Sequence, residues 1–391
     1  MLPILMMAMP PALAEQPVAE SPPASRPSNS EAGAFARLLR EGELTSPGIL
    51  LASEGREDGA KNKQPGIVRG DFQRHSALIL VADRMAADFP ETFVQLVGAV
   101  RCRLTIWGLV STGEGRDRVL RLLAERRLPA DAVRLVQAPT DTVWIRDFGP
   151  VFVSRGDGSR AAFDFDYLRK SGAKERDHDR AAARAIAGHL QVSAAHVPLA
   201  IEGGNLLSNG RGLLLTTTVT FNANVLRGCK QADVVRQLRE HLGFRQMVVL
   251  EPLRGEITGH VDLFACWTDA ETVVLEEYSE SIDPVNAAVL DRNAAILAKV
   301  RTDSGKPLRV LRIPAPTNAD GVWRTYTNSV FANGSLVVPR YRGTDPATEE
   351  RAMRTLRQAL PGWQIIPVDA DALIAQQGAL RCITLCVPAA P

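Results

Sequence analysis

The sequence predicts an α/β chain built from repeated helix-then-strand units, and two observations carry that prediction. Apolar residues recur at three- and four-residue intervals over Glu114–Arg127, Lys174–Leu190, Lys230–Leu242, Pro284–Val300 and Pro346–Leu360, the period of an amphipathic helix. Each stretch runs into a short β-prone segment: Ala132–Val136, Val192–Val197, Gln246–Leu250, Leu308–Ile313 and Gln364–Val368. Units at a spacing of about 55–65 residues form an internal repeat, and a repeat of this kind can close into a ring. The strand Ser76–Val81 and the helix Pro90–Val100, which opens on a proline suited to a first helical position, start the first unit.

Taken in order, the chain opens on Met1–Ala14, an apolar stretch in which Ala12-Leu13-Ala14 before Glu15 has the small-x-small form of a signal-peptidase site. No Lys or Arg precedes Arg26, so the basic flank of a signal is missing; residues 1–14 still read as a cleaved signal and the protein as exported, to the periplasm or beyond. Residues 15–66 read as a low-complexity tether. Glu15–Ser30 is rich in Pro, Ser, Ala and Glu, Phe35–Leu39 suggests one short helix, and Glu54–Gly66 is loop-like. The folded domain is expected over residues 67–391, where a chain of 45% hydrophobic content can bury a large core. A net charge of +2 with interspersed charges excludes the basic footprint of a nucleic-acid binder, and no stretch suits membrane insertion once the signal is cleaved.

Polar chemistry follows each predicted strand. After the first comes Trp144-Ile145-Arg146-Asp147-Phe148-Gly149-Pro150; after the second, Glu202-Gly203-Gly204-Asn205; then Gly259-His260-Val261-Asp262, Tyr326-Thr327-Asn328 and Arg381-Cys382-Ile383-Thr384. In a closed ring these points meet on one axis and bring Asp147, Glu202, His260, Asp262, Asn328 and Cys382 together. Gly259–Asp262 reads as the start of a strand continuing through Leu263–Trp267, so His260 and Asp262 should share a face. Alone, His260 could equally be a satisfied core histidine. Beside Cys382 it becomes a proton shuttle for a nucleophile. Paired carboxylates call for a cation, and a planar guanidinium satisfies two of them through charge-assisted bonds worth about 1.5–3 kcal/mol each.

Those stretches, with Cys382-Ile383-Thr384, resemble the agmatine deiminases and the Porphyromonas-type peptidyl-arginine deiminases, from about Ile67 to the C-terminus. The resemblance implies a five-bladed, pseudo-symmetric α/β propeller of the guanidino-group-modifying (pentein-type) superfamily, with no metal and no organic cofactor. By matching position it makes Cys382 the nucleophile, His260 the general acid and base, and Asp147 and Asp262 the clamps on the guanidinium. Asn328 would position the reacting groups, Glu202 matches an acidic position of the agmatine-type members, and Trp144 would contact substrate. Arg146 reads as a structural residue that holds its loop.

The implied reaction is hydrolysis of a guanidinium through a thiouronium intermediate with release of ammonia. Its partner would be a small-molecule guanidino substrate, agmatine giving N-carbamoylputrescine, with arginine in a peptide as the alternative. Transfer of the amidino group to an amine and an inactive guanidinium-binding propeller are the remaining readings. Peptidyl-type relatives grip the carboxylate of a C-terminal arginine with two Arg residues two positions apart. Here Arg169 and Ser171 stand at those places by spacing from Asp147, so one grip is missing and agmatine leads. Arg381, where many agmatine-type members have His, and Leu385-Cys386, where they have Gln-Gln, depart from the pattern. So does Gly70-Asp71-Phe72-Gln73-Arg74, in place of an acidic-plus-Trp opening.

The five cysteines are an odd set, which leaves at least one thiol unpaired in an exported protein, and the C-x-x-x-C spacing of Cys382 and Cys386 would suit a disulfide or redox pair better than a metal. His178, His189, His196 and His241 read as surface or packing residues.

Overall fold

The five predicted helices form close to their expected bounds, as Gly113–Glu125, Asp177–His189, Gln231–Leu242, Pro284–Leu297 and Pro346–Ala359. This computed structural model describes residues 46–51, 66–171 and 174–389. The predicted signal, the short helix expected at Phe35–Leu39 and most of the predicted tether lie outside them. Local chemistry fixes the helix starts: Asp283 and Asp345 cap their helices by accepting the Asn286 and Thr348 amides, each with a proline at the next position. The apolar stripes face inward, burying Val234, Leu238 and Leu242 on one helix and Ala352, Leu356 and Ala359 on another.

The strands assemble, among the described residues, into five sheets of three or four strands and one two-stranded ribbon. Each sheet repeats one pattern, an antiparallel pair followed by a parallel neighbour reached through a helix. Ala265–Trp267 pairs antiparallel with Thr272–Glu277, which pairs in parallel with Arg309–Pro314. Val330–Phe331, Ser335–Arg340 and Gln364–Asp369 repeat it, as do Val151–Ser154, Arg160–Asp166 and Ser193–Ala200. Leu207–Ser208, Leu213–Thr217 and Gln246–Leu250 form the fourth set. In the fifth, Leu385–Pro388 pairs antiparallel with His75–Val81, and Thr105–Val110 and Arg134–Gln137 follow in parallel.

Two expectations need correction. Gly48–Leu51, placed in the tether, is a strand paired antiparallel with Gln246–Leu250. Its apolar Gly-Ile-Leu-Leu sequence covers what would otherwise be an open sheet edge. The strand expected from Gly259 begins only at Ala265, because His260 instead leads into a one-turn 3-10 helix, Val261–Leu263. No helix among the described residues is long and apolar enough to cross a membrane.

Candidate active site

All five polar motifs lie on the connections that leave the last parallel strand of one sheet for the first strand of the next. The connections are tied to one another in a closed circuit of hydrogen bonds. The Gly204 amide donates to Asp147 Oδ1 at 3.0 Å, the Val261 amide to Asn205 Oδ1 at 3.0 Å, and Thr327 Oγ1 to the Asp262 carbonyl at 3.3 Å. The Arg381 amide donates to Asn328 Oδ1 at 2.9 Å, and the Arg146 amide returns to the Cys382 carbonyl at 3.2 Å. Residues from Asp147 to Cys382 thereby share one centre.

Cys382 is buried, with 5% of its surface exposed, and Asn328 Nδ2 lies 3.3 Å from its Sγ. Burial, then the charges of Asp262 and Asp147, push its thiol well above the usual range. The imidazole of His260 sits between two acids: Nε2 is 2.7 Å from Glu202 Oε2 and Nδ1 is 3.6 Å from Asp147 Oδ1. Burial alone would lower its pKa, but the Asp147 charge and the Glu202 hydrogen bond outweigh that and hold it up at about 9. The approach is possible only because position 204 is glycine. A Cβ there would lie 2.5 Å from His260 Nδ1 and 2.6 Å from Asp147 Oδ1.

Glu202 and Arg169, expected as separate substrate contacts, are bound to each other. Arg169 donates through Nε at 2.9 Å and Nη2 at 3.0 Å to the two Glu202 oxygens, a bidentate pair. Burial would raise the Glu202 carboxyl; the Arg169 charge, with His260, outweighs it and keeps it below the usual range. Asp262 is likewise half engaged. Its Oδ2 accepts from Arg381 Nη1 at 2.7 Å, while its buried Oδ1 has no hydrogen-bond partner. Arg381 is a hub that the motif reading passed over: its Nε meets Asp71 at 2.9 Å and its Nη2 the Leu206 carbonyl at 3.2 Å.

With Glu202 matched by Arg169 and Asp262 by Arg381, Asp147 is the carboxylate with no arginine partner. Burial raises its pKa, as expected for a carboxylate waiting for a cation. Asp147 and the free Oδ1 of Asp262 are therefore the groups able to receive a guanidinium beside the Cys382 sulfur. Asp147, Glu202 and His260 also offer three close ligand atoms for a metal ion. Both Glu202 oxygens already meet Arg169, and one also meets His260, so Glu202 presents no open face to an ion and Asp147 alone of the two carboxylates does.

Trp144 is half-buried over Gly378, where a Cβ would come within 2.3 Å of its ring. It packs beside the loop that leads to Cys382. A cavity of about 90 Å³ opens on the His260 side, lined by Leu168, Arg169, Ile201, Glu202 and Val219 among others. Asn205 is the clearest omission from the sequence reading. Its amide accepts from Thr217 and Val261 and donates to Thr217 Oγ1 and Thr220 Oγ1, locking the turn that carries His260. Its place directly after Glu202-Gly203-Gly204 was the available signal. The five cysteines are free thiols, so Cys382 and Cys386 form no disulfide. His178, His189 and His196 meet polar groups at the surface, and His241 packs at a tilt against Phe163.

A sequence model of the Porphyromonas-type peptidyl-arginine deiminases matches residues 75–388. A Streptomyces coelicolor protein named as a candidate agmatine deiminase is 31% identical over 277 residues, covering 66% of this chain and 79% of that protein. The agmatine deiminase of Ectopseudomonas mendocina is 27% identical over 298 residues, covering 68% and 80%. Among solved structures, the agmatine deiminase of Enterococcus faecalis superposes with a TM-score of 0.72 at 19% identity, covering 85% of this chain and 99% of that one, a likeness of fold.

Proposed function

Because the chain belongs to the Porphyromonas-type peptidyl-arginine deiminase family, whose hydrolases act on guanidino carbon–nitrogen bonds, we propose that it deiminates a small free guanidino compound, with agmatine as the lead substrate and N-carbamoylputrescine as product. The observation that carries the choice of substrate is the Arg169–Glu202 pair. The one arginine matched to carboxylate recognition spends its Nε and Nη2 on an internal acid, and agmatine has no carboxylate to recognise.

In the reaction, Asp147 and the free oxygen of Asp262 hold the guanidinium nitrogens in place. The arriving cation offsets the two charges that keep the Cys382 thiol neutral, the thiol releases its proton to solvent water, and the thiolate sulfur bonds to the guanidinium carbon. His260, held as imidazolium, protonates the departing nitrogen, and ammonia leaves. A thiouronium on Cys382 remains. Neutral His260 then takes a proton from water, whose oxygen adds to the same carbon; the adduct's remaining hydroxyl proton passes to the sulfur as the C–S bond breaks, and the ureido product leaves with thiol and imidazolium both restored. Asn328 steadies the sulfur throughout. No metal or organic cofactor is required by these steps.

The five repeats of one sheet pattern, with the last strand paired to His75–Val81, support reading the fold as a five-bladed propeller. The Ala12-Leu13-Ala14 site supports export, and an exported member could meet arginine-containing peptides, the second reading. Specificity constants for ammonia release from agmatine, free arginine and a peptide ending in arginine decide between them. Agmatine should lead. A peptide preference of about tenfold or more, roughly 1.4 kcal/mol in transition-state binding, would overturn the agmatine assignment while leaving the chemistry intact. Amidino transfer to an added amine in place of ammonia release would overturn the hydrolase reading itself.

A further inference from the structure

A second cavity, of about 50 Å³, adjoins the catalytic circuit and is lined by Arg69, Asp71, His75, Arg146, Arg381 and Cys386 among others. Its charges do not cancel. Arg381 is occupied by Asp71, Asp262 and two carbonyl groups. Arg146 has no such partners: it is 8% exposed, no carboxylate among the described residues lies within ion-pair range, and its Nε has no hydrogen-bond partner. The buried Nε of Arg69 has none either.

The neighbours of Arg146 supply no counter-charge. Cys386 stands beside it, but burial pushes that thiol up to about 12 against the pull of the guanidinium, so it is not a thiolate. Asp71 is an anion, because Arg381 and Arg146 outweigh its burial and bring it down to about 2, yet its hydrogen bond goes to Arg381. Three guanidinium groups, Arg69, Arg146 and Arg381, thus meet two carboxylates, Asp71 and Asp262. An arginine does not shed its proton to escape burial, and an uncompensated buried charge is costly. His75 Nε2 meets the Asp71 carbonyl, and burial favours the neutral ring, so its partnerless Nδ1 is an acceptor and does not hold an anion.

We propose that this cavity binds one small monovalent anion of halide size, held between the guanidinium groups of Arg146 and Arg69. A water molecule claims about 30 Å³ in the liquid, so the space suits a single ion of that class and is too small for an organic acid with a chain. The position matters for catalysis. The Arg146 amide donates to the Cys382 carbonyl and Arg146 directly precedes Asp147, so the ion fixes the segment carrying one clamp against the segment carrying the nucleophile.

The test uses the whole protein exchanged into gluconate, an anion too large for the cavity, and titrated with sodium bromide at constant ionic strength while the unfolding midpoint is followed. The midpoint should rise and level off as for one site. Crystals grown with bromide should carry an anomalous peak between Arg146 and Arg69. In Arg69→Met, a loop substitution outside the catalytic circuit, half-saturation should move to at least about tenfold higher bromide, about 1.4 kcal/mol of binding. A midpoint indifferent to which anion is present, an Arg69→Met protein that titrates like its parent, or bromide density absent from the cavity each overturns the proposal. The crystal result decides even where the variant fails to fold.

Discussion

Between Asp147 and Glu202 the imidazole of His260 stays protonated up to about 9, while the Cys382 thiol is held well above its usual range, so the reactive thiolate–imidazolium pair is a minor form at every pH. Its fraction, and with it kcat/KM for ammonia release, should rise with pH and level off near pH 9, where each thiolate gained is matched by an imidazolium lost. A kcat/KM that keeps rising in proportion to hydroxide between about pH 9 and 10 would show that His260 is not the acid. Cys382→Ala and His260→Ala should each abolish turnover with the circular-dichroism spectrum unchanged, and their effects should not add, since nucleophile and shuttle act as a unit. Gly204→Ala tests the geometry without touching a charge. Its new methyl must push His260 or Asp147 aside, and a displacement on the ångström scale should cost about 10²-fold in kcat/KM. Activity within a few-fold of the parent would mean that the site tolerates a looser fit. Cys382, His260, Asp147, Glu202 and Asn328 were legible in the sequence because each follows a strand whose position local pattern reveals. The Arg381–Asp71 pair was not, since its members are 310 positions apart and nothing near either one announces the other.

At the scale of the element, Glu276 shows what a strand can do for a loop it never joins. It lies fully buried on Thr272–Glu277, and its Oε1 accepts the Tyr326 amide at 2.8 Å and the Thr327 amide at 3.4 Å, fixing the connection that ends in Asn328. Burial raises its pKa from 4.5 to about 8. The folded value lies above the unfolded one, so its contribution to stability is full below 4.5 and is lost as pH rises through about 8. Glu276→Gln should remove that slope. Unfolding free energies from urea titrations at about pH 5 and pH 8 should differ less in the variant than in the parent, by an amount on the order of a few kcal/mol. Equal pH dependence in both proteins would place the titration elsewhere. An acid inside the apolar run Val273–Leu275 to Tyr278 was the sequence signal for this role. The repeat was read from its helices and long parallel strands, whereas Leu207–Ser208 and Val330–Phe331 are two-residue strands, too short for any alternation to register. The same limit explains the 3-10 turn at Val261–Leu263. Asn205, distant in sequence, takes the Val261 amide that a continuing strand would have offered to its neighbour.

At the scale of the whole molecule, the five motifs become a site only when the connections meet, and the last of them depends on the pairing of Leu385–Pro388 with His75–Val81. That sheet joins groups 312 positions apart, as Ser76 Oγ does with the Pro388 carbonyl. Contacts of such separation form late, because the chain must be ordered over a long loop before they repay it. Cys382, the proposed nucleophile, stands three residues before that strand, so a partly folded chain can hold most of its helices and sheets and remain chemically silent. Refolding from urea should therefore show ellipticity returning ahead of ammonia release, with the lag lengthened by Val387→Ala, which weakens the closing pair. Simultaneous recovery of both signals would mean that His75–Val81 and Leu385–Pro388 meet early. If the lag is found, catalysis in this protein reports completion: a chain that releases ammonia has already brought His75–Val81 and Leu385–Pro388 into register.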